Sequence, residues 1–333
     1  MQTRVLVTGA GGFIGHHLVT DLKKAGFWVR GADLKHPEFT ASDADEFVLA
    51  DLRRWENALA ATADVDHVYA LAADMGGMGF ISANHAQILR NNSLINIHTL
   101  DAARENAVKR YLYTSSACIY PEYRQREANV EPLKEEHAYP ADPQDAYGWE
   151  KLVSERLCTH FREDFGMETR IVRFHNIFGP NGTWEGGREK APAALCRKIA
   201  VAKLTGNPEI EMWGDGEQTR SFCYIDDCVK GIRLLMQSSY AEPLNLGQDR
   251  MVSINELAHI IAAIAGVRIQ IRHVSGPQGV RGRNSDNTRL RQVLGWAPEI
   301  SLEDGLQHTY EWIEQQVARR LEATAPSHAA VAG

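Results

Sequence analysis

No segment of this chain is apolar for long enough to cross a bilayer; the most apolar late stretch, residues 257–267, is short and is broken by His259. The first residues run from Met-Gln-Thr-Arg directly into an apolar strand, without the charged region, long apolar stretch and cleavage site of a secretory signal. A cytoplasmic location is therefore expected. Cysteine is sparse: Cys118, Cys158, Cys196, Cys223 and Cys228 form an odd set of 5 without a CxxC pair. That argues against a disulfide framework and against a zinc site. Positive charge is not in excess either, since 36 Lys and Arg face 43 Asp and Glu for a net −7. The basic stripe that nucleic acid demands is missing, so neither nucleic acid nor membrane is an expected partner.

What the chain has is an ordinary globular composition, 44% apolar and 24% charged, which excludes disorder and leaves enough apolar material for a large core. At 333 residues it fits one large or two modest domains sharing an interface. Arg4–Thr8 reads as a buried strand, followed by a glycine-rich turn, an amphipathic helix over Phe13–Lys24 and a strand over 28–32. Further strands are expected at 67–71, 110–114 and 169–174, separated by helices at 84–106 and Ala146–Phe165. Such alternation predicts an α/β fold with a doubly wound parallel sheet, a Rossmann domain. Beyond Phe174 the pattern loosens into a loop, a helix from about Ala191, a strand at Glu209–Trp213 and helices at 253–265 and 301–320. A smaller C-terminal α/β domain is expected there. The Ala-rich end, 322–333, has no apolar periodicity and is expected to be disordered.

Gly9, Gly12 and Gly15 of TGAGGFIG lie between the first strand and the first helix, where Phe13 and Ile14 open the helix. Glycines so spaced permit a tight turn, let backbone N–H groups approach a pyrophosphate and let the helix pack close to the strand. Asp33, at the end of the second strand, is placed to accept from both ribose hydroxyls and to repel a 2′-phosphate, favouring NAD over NADP. Lys35 and Arg53 keep open a basic contact to that phosphate. Asp51 and Leu52 are expected at the adenine, and Ala72 completes the cofactor contacts.

Tyr147 and Lys151 stand four apart in DAYGWEK, on one face of a helix, downstream of a strand ending in Ser115 and Ser116. A nearby ammonium stabilises phenolate, which would make Tyr147 a usable base near neutral pH, with Ser116 bridging the same substrate hydroxyl. On the residues alone, other readings stay open. Cys118 also fits a small buried hydrophobe, Lys190 a solvated charge, Glu189 a helix cap and Arg283 a surface loop.

With TGAGGFIG, Asp33 and the Tyr147–Lys151 pair, the chain resembles the extended short-chain dehydrogenase/reductase superfamily. The resemblance implies a bound NAD that takes a hydride from a sugar carbon and returns it, while the tyrosine takes the hydroxyl proton. SSACIYP, ADMGGMGF, HNIFGP, GTWEGGREKAPAA, MWGDGEQTRSF and GPQGVRGRNSDN are more specific, and over roughly residues 4–320 they closely resemble the GDP-mannose 3,5-epimerase family. This second resemblance implies epimerisation of GDP-D-mannose to GDP-L-galactose, with GDP-L-gulose from inversion at carbon 5 alone. It assigns the acid-base pair to Cys118 and Lys190, and the grip on sugar and diphosphate to Gly76, Gly77, Ser116, Asn176, Glu189, Lys198, Gln218 and Arg283. It also implies a homodimer through a bundle containing the 84–106 and 146–165 helices. The expected division is an NAD-binding domain over 1–173, rejoined by a segment near 223–247, and a mainly nucleotide-sugar-binding domain over 174–321. Competing readings are a GDP-fucose synthase-like epimerase-reductase, which consumes NADPH, and a non-catalytic dinucleotide sensor.

Overall fold

The computed structural model of the protein describes residues 2–277 and 279–324. Strand β1 (Arg4–Thr8) forms from the buried run Val5, Leu6 and Val7, which suits a parallel strand covered on both faces. The chain turns at residues 9–12 into helix α1 (Phe13–Lys24), which buries Leu18, Val19 and Leu22 and carries Lys23 and Lys24 in its last turn, where the helix dipole favours cations. β2 (Trp28–Asp33) and β3 (Glu46–Leu49) extend the sheet to one side of β1. After α2 (Trp55–Thr62), β4 (His67–Ala70) pairs with the other side of β1. Short α3 (Met78–Ala83) and long α4 (His85–Glu105) precede β5 (Arg110–Ser116). Helix α5 (Ala146–Phe165) starts at Asp145, whose carboxylate accepts from the Gly148 N–H at 2.9 Å, and is followed by β6 (Glu168–Phe174).

The chain then builds a second, looser region from β7 (Ile177–Phe178), α6 (Ala191–Thr205), β8 (Glu209–Trp213), β9 (Thr219–Ser221) and β10 (Cys223–Tyr224). Helix α7 (Ile225–Gln237) leads to β11 (Pro243–Leu246), which pairs with β6. β12 (Met251–Ser253), α8 (Ile254–Ala265), β13 (Gln270–Val274), β14 (Gly282–Arg283), α9 (Thr288–Leu294) and α10 (Leu302–Thr324) follow. The central sheet has seven parallel strands in the order β3-β2-β1-β4-β5-β6-β11, the doubly wound α/β arrangement expected from the sequence. Strand order reverses beside β1, so a crevice opens at the carboxyl ends of β1 and β4. Outside this sheet, β9 holds β14 on one side and β12 on the other.

One expectation fails at the C-terminus. Glu322, Ala323 and Thr324 continue α10 as helix. Apolar periodicity had faded there, but Leu, Glu and Ala are good helix formers and extend a helix already nucleated by its buried face. The remainder of the expected disordered segment, 325–333, lies outside the described residues.

The carboxyl end of β6 is fixed by a buried polar cluster. Glu155 of α5 and Arg173 of β6 pair at 2.7 Å with both side chains 3% exposed. Arg173 also donates to the Tyr120 hydroxyl at 3.2 Å, and Tyr120 donates to Asn245 of β11 at 2.6 Å. Charges this deeply buried persist only when fully hydrogen-bonded, and the cluster locks α5, β6 and β11 into one register.

Candidate active site

All the candidate residues named from the sequence line one cavity of about 870 Å³, which runs from the glycine turn after β1 to Arg283 on β14. At the cofactor end, a Cβ on Gly15 would stand 2.1 Å from the Gly9 carbonyl oxygen, so only glycine allows α1 to seat this closely on the turn. Gly12 caps α1 without a side-chain hydrogen bond, and no acidic residue occupies the first turn, which leaves the helix N-terminus available to a pyrophosphate. Phe13 and Ile14 line the same wall. Asp33 is held in place by the N–H groups of Gly11, at 2.9 Å, and Lys35, at 3.2 Å.

Asp51 is gripped by Arg53 through two hydrogen bonds of 2.8 Å, and this guanidinium holds the carboxyl below its ordinary value. Arg53 is thus committed to Asp51, and Lys35 pairs with Glu38 at 3.6 Å. The two basic residues that kept NADP open both have acidic partners. Leu52 is buried beside Asp51, and the Ala72 N–H donates to the Thr8 hydroxyl at 3.1 Å, closing the cavity wall past β4. The glycine cradle, the uncapped helix end and the oriented Asp33 carboxylate fit NAD.

At the chemical end, the turn after β5 carries Ser116 and Cys118. Ser116 caps that turn by accepting from the Cys118 N–H at 3.2 Å. Helix α5 brings Tyr147 alongside because its next residue is glycine: a Cβ on Gly148 would lie 2.2 Å from the Cys118 carbonyl oxygen. Tyr147 is buried with Ile81 and Ile88 and packs against Met75, Phe80 and Cys118. Lys151 is also buried, and its ammonium donates to the Thr114 carbonyl at 2.9 Å while standing 5.6 Å from the Tyr147 ring centroid. The surroundings shift the phenol opposite to the direction expected from the Lys151 ammonium. Burial raises the Tyr147 phenol well above its ordinary value, opposed in part by the Ser116 hydroxyl. Burial likewise lowers the Lys151 ammonium, opposed by the adjoining Glu150.

Cys118 Sγ accepts from Arg283 Nη1 at 3.3 Å. Arg283 is buried, not a surface-loop residue, and its Nε donates to the buried Gln125 at 2.6 Å. Lys190 is the residue before α6; it is exposed by surface area, yet its ammonium sits in the cleft among protein atoms, and this enclosure lowers its pKa, with Cys118 pulling the other way. Glu189 does not cap α6. Its carboxylate accepts from Arg197 at 2.9 Å and from the Gly187 N–H at 2.7 Å, bracing the loop that delivers Lys190. Asn176 adopts φ +48° between β6 and β7 and donates to the Ser221 carbonyl at 2.9 Å, while Lys198 donates to the Glu211 carbonyl at 2.6 Å. Gly76, Gly77 and Gln218 face the same cavity.

Sequence reasoning missed Arg220. Its guanidinium lines the cavity, donating to the carbonyls of Thr219 and Val280 at 2.7 Å each, with no carboxylate partner among the described residues. Burial, and then Arg283, lower it to about 9. A cation so placed suits a diphosphate. The signal was available: Gln218 and Arg220 are two apart on an extended segment, so they share a face.

The family model described as the NAD dependent epimerase/dehydratase family matches residues 5–247. A GDP-mannose 3,5-epimerase 1 of Oryza sativa subsp. indica is 55% identical, covering 96% of this chain and 83% of that protein. A GDP-L-fucose synthase of Escherichia coli (strain K12) is more distant, 28% identical over 93% of this chain and 96% of its own. In fold, the chain matches a UDP-glucose 4-epimerase from Thermotoga maritima with a TM-score of 0.83 at 24% identity, covering 95% of this chain and 100% of that one. The chain is an NAD-dependent isomerase belonging to the NAD dependent epimerase/dehydratase family and, within it, to the family of GDP-mannose 3,5-epimerases.

Proposed function

We propose that the protein epimerises GDP-D-mannose at carbons 3 and 5, giving GDP-L-galactose, with GDP-L-gulose where carbon 5 alone inverts. The observation that carries this reading is the convergence of Tyr147, Cys118 and Lys190, from three separate elements, in one cavity continuous with the cofactor cradle. NAD, which the turn at residues 9–15 and Asp33 would hold, would supply the hydride acceptor for sugar carbon 4. Tyr147 takes the carbon-4 hydroxyl proton, with Ser116 sharing that hydrogen bond. The resulting ketone acidifies the protons on carbons 3 and 5, so an enolate forms at each in turn. Cys118 removes the proton from one face and Lys190 delivers one to the other, which inverts the carbon. Arg283 and Arg220 hold the diphosphate, and Asn176, Gln218 and Lys198 contact the sugar side. The single test is GDP-mannose incubated with the purified protein without added nicotinamide: new GDP-hexoses must form. A requirement for added NADPH would instead select the epimerase-reductase reading.

Lys190 acts in its charged form, so activity is present below its pKa and lost as pH rises through it. Because enclosure lowers that pKa from the ordinary 10.5, the alkaline limb of the carbon-3 exchange rate should fall below that value. Lys190→Arg should lose epimerisation along with this limb, since a guanidinium does not give up its proton there and cannot serve as the acid. A limb unchanged in Lys190→Arg would assign it to another group.

The working state we propose is a cytoplasmic homodimer. On α4, Leu89 and Ile97 are exposed eight apart; on α5, Trp149 and Val153 are exposed four apart, with Val153 at 62%. Each pair shares a helix face, and α4 packs against α5. Two copies would bury these stripes in a four-helix bundle. Val153→Glu with Ile97→Glu should halve the mass measured by light scattering. A monomeric wild type would remove the dimer.

A further inference from the structure

The glycine-rich segment that covers Tyr147 and Cys118 is fastened by a side chain that the mechanism does not use. Arg188, two residues before Lys190, makes four contacts with residues 74–80. Its Nη1 donates to the Asp74 carboxylate at 3.3 Å and to the Met75 carbonyl at 3.4 Å. Its guanidinium lies 3.8 Å from the Phe80 ring centroid, and its own carbonyl accepts from the Gly77 N–H at 3.0 Å. Asp74 is in turn pinned to α4: its carboxylate accepts from Gln87 at 3.1 Å and Asn91 at 3.0 Å, and its N–H donates to Asn92 at 2.6 Å. Phe80 and Met75 pack on the cluster that contains Tyr147 and Cys118.

One residue therefore spans the two halves of the reaction centre. On one side stands the anchored cluster holding Tyr147 and Cys118; on the other, the short loop that ends in Lys190. Arg188 is half exposed, with 49% of its side chain in solvent, so it contributes little to the core, and a loop residue that makes four directed contacts at one place is suited to positioning.

We infer that Arg188 is a positioning residue, a latch that holds the loop before α6 against Asp74 and Phe80 of the glycine segment and so sets the height of the Lys190 ammonium against Cys118 across the sugar ring. The stereochemical consequence rests on the epimerase reading: misplacing the proton donor must alter how carbon 3 and carbon 5 share the inversion. The latch itself does not depend on that reading.

Two measurements on the full-length, NAD-loaded protein separate them. The first is amide hydrogen exchange over residues 75–80 without substrate. Arg188→Ala should speed it by roughly tenfold. Unchanged protection overturns the latch. The second is turnover of GDP-mannose in deuterium oxide. Arg188→Ala should lower kcat by roughly tenfold with KM little changed, and should shift the ratio of deuterium at carbon 3 to that at carbon 5 at least about twofold. Arg188→Lys, which keeps charge but neither fork nor stacking plane, should recover only part. Asp74→Asn should reproduce part of the loss, and the two substitutions together should cost less than the sum of their separate effects. A loss confined to KM, or normal rate and ratio in Arg188→Ala, overturns the positioning role. A wild type inert on GDP-mannose sinks the epimerase reading, and the latch then stands or falls on the exchange data.

Discussion

Cys118→Ala should lose deuterium uptake at carbons 3 and 5 by about 10² to 10⁴-fold, the range that a positioned proton-transfer group supplies. NAD should stay bound, because Cys118 lies on the turn after β5 while the cradle is built from residues 9–15 and Asp33. The substitution also leaves the site's frame intact: Arg283 loses the thiol but keeps its 2.6 Å bond to Gln125. Oxidation at carbon 4 uses different groups and should continue, so quenching with borodeuteride should trap deuterium at carbon 4 of the bound sugar. Retained exchange at carbons 3 and 5 would remove Cys118 from its assigned place.

Tyr147→Phe should fail one step earlier. Without the phenol there is no acceptor for the carbon-4 hydroxyl proton, no ketone, and hence no acidity at either neighbouring carbon. Exchange at carbons 3 and 5 and the borodeuteride trap at carbon 4 should fall together, again by about 10² to 10⁴-fold. The contrast between the two variants orders the steps. Burial sets the phenol high, and Lys151, whose ammonium donates to the Thr114 carbonyl, ties the end of β5 to α5 beside it. Persistent epimerisation in Tyr147→Phe would overturn the oxidation-first order.

How much of this was legible in the sequence depended on how local the cause was. The bounds of β1 and α1 follow from a run of aliphatics, three glycines and one apolar helical face, all within about two dozen residues. Tyr147, Lys151, Ser116 and Cys118 were legible for the same reason, as short motifs at the ends of a strand and a helix. The direction of the Tyr147 shift was not. Four-residue spacing puts Lys151 on the right face, but burial by Ile81, Ile88 and the glycine segment sets the direction, and those contacts come from another part of the chain. Arg188 and Asp74 are 114 apart in sequence, and Arg283 and Cys118 are 165 apart, so no periodicity records either meeting. Arg220 stayed unseen because an arginine on a short strand reads as an exposed charge until β14 and the residues before it close over it.

The most direct test of the account is proton NMR of GDP-mannose incubated with the purified protein in deuterium oxide, with no nicotinamide added. The account predicts deuterium at carbons 3 and 5, none at carbon 4, and products of galactose and gulose configuration, because the hydride returns to the carbon it left while the two neighbouring protons come from solvent. Deuterium entering at carbon 4, or a spectrum unchanged even after NAD is supplied, would contradict it.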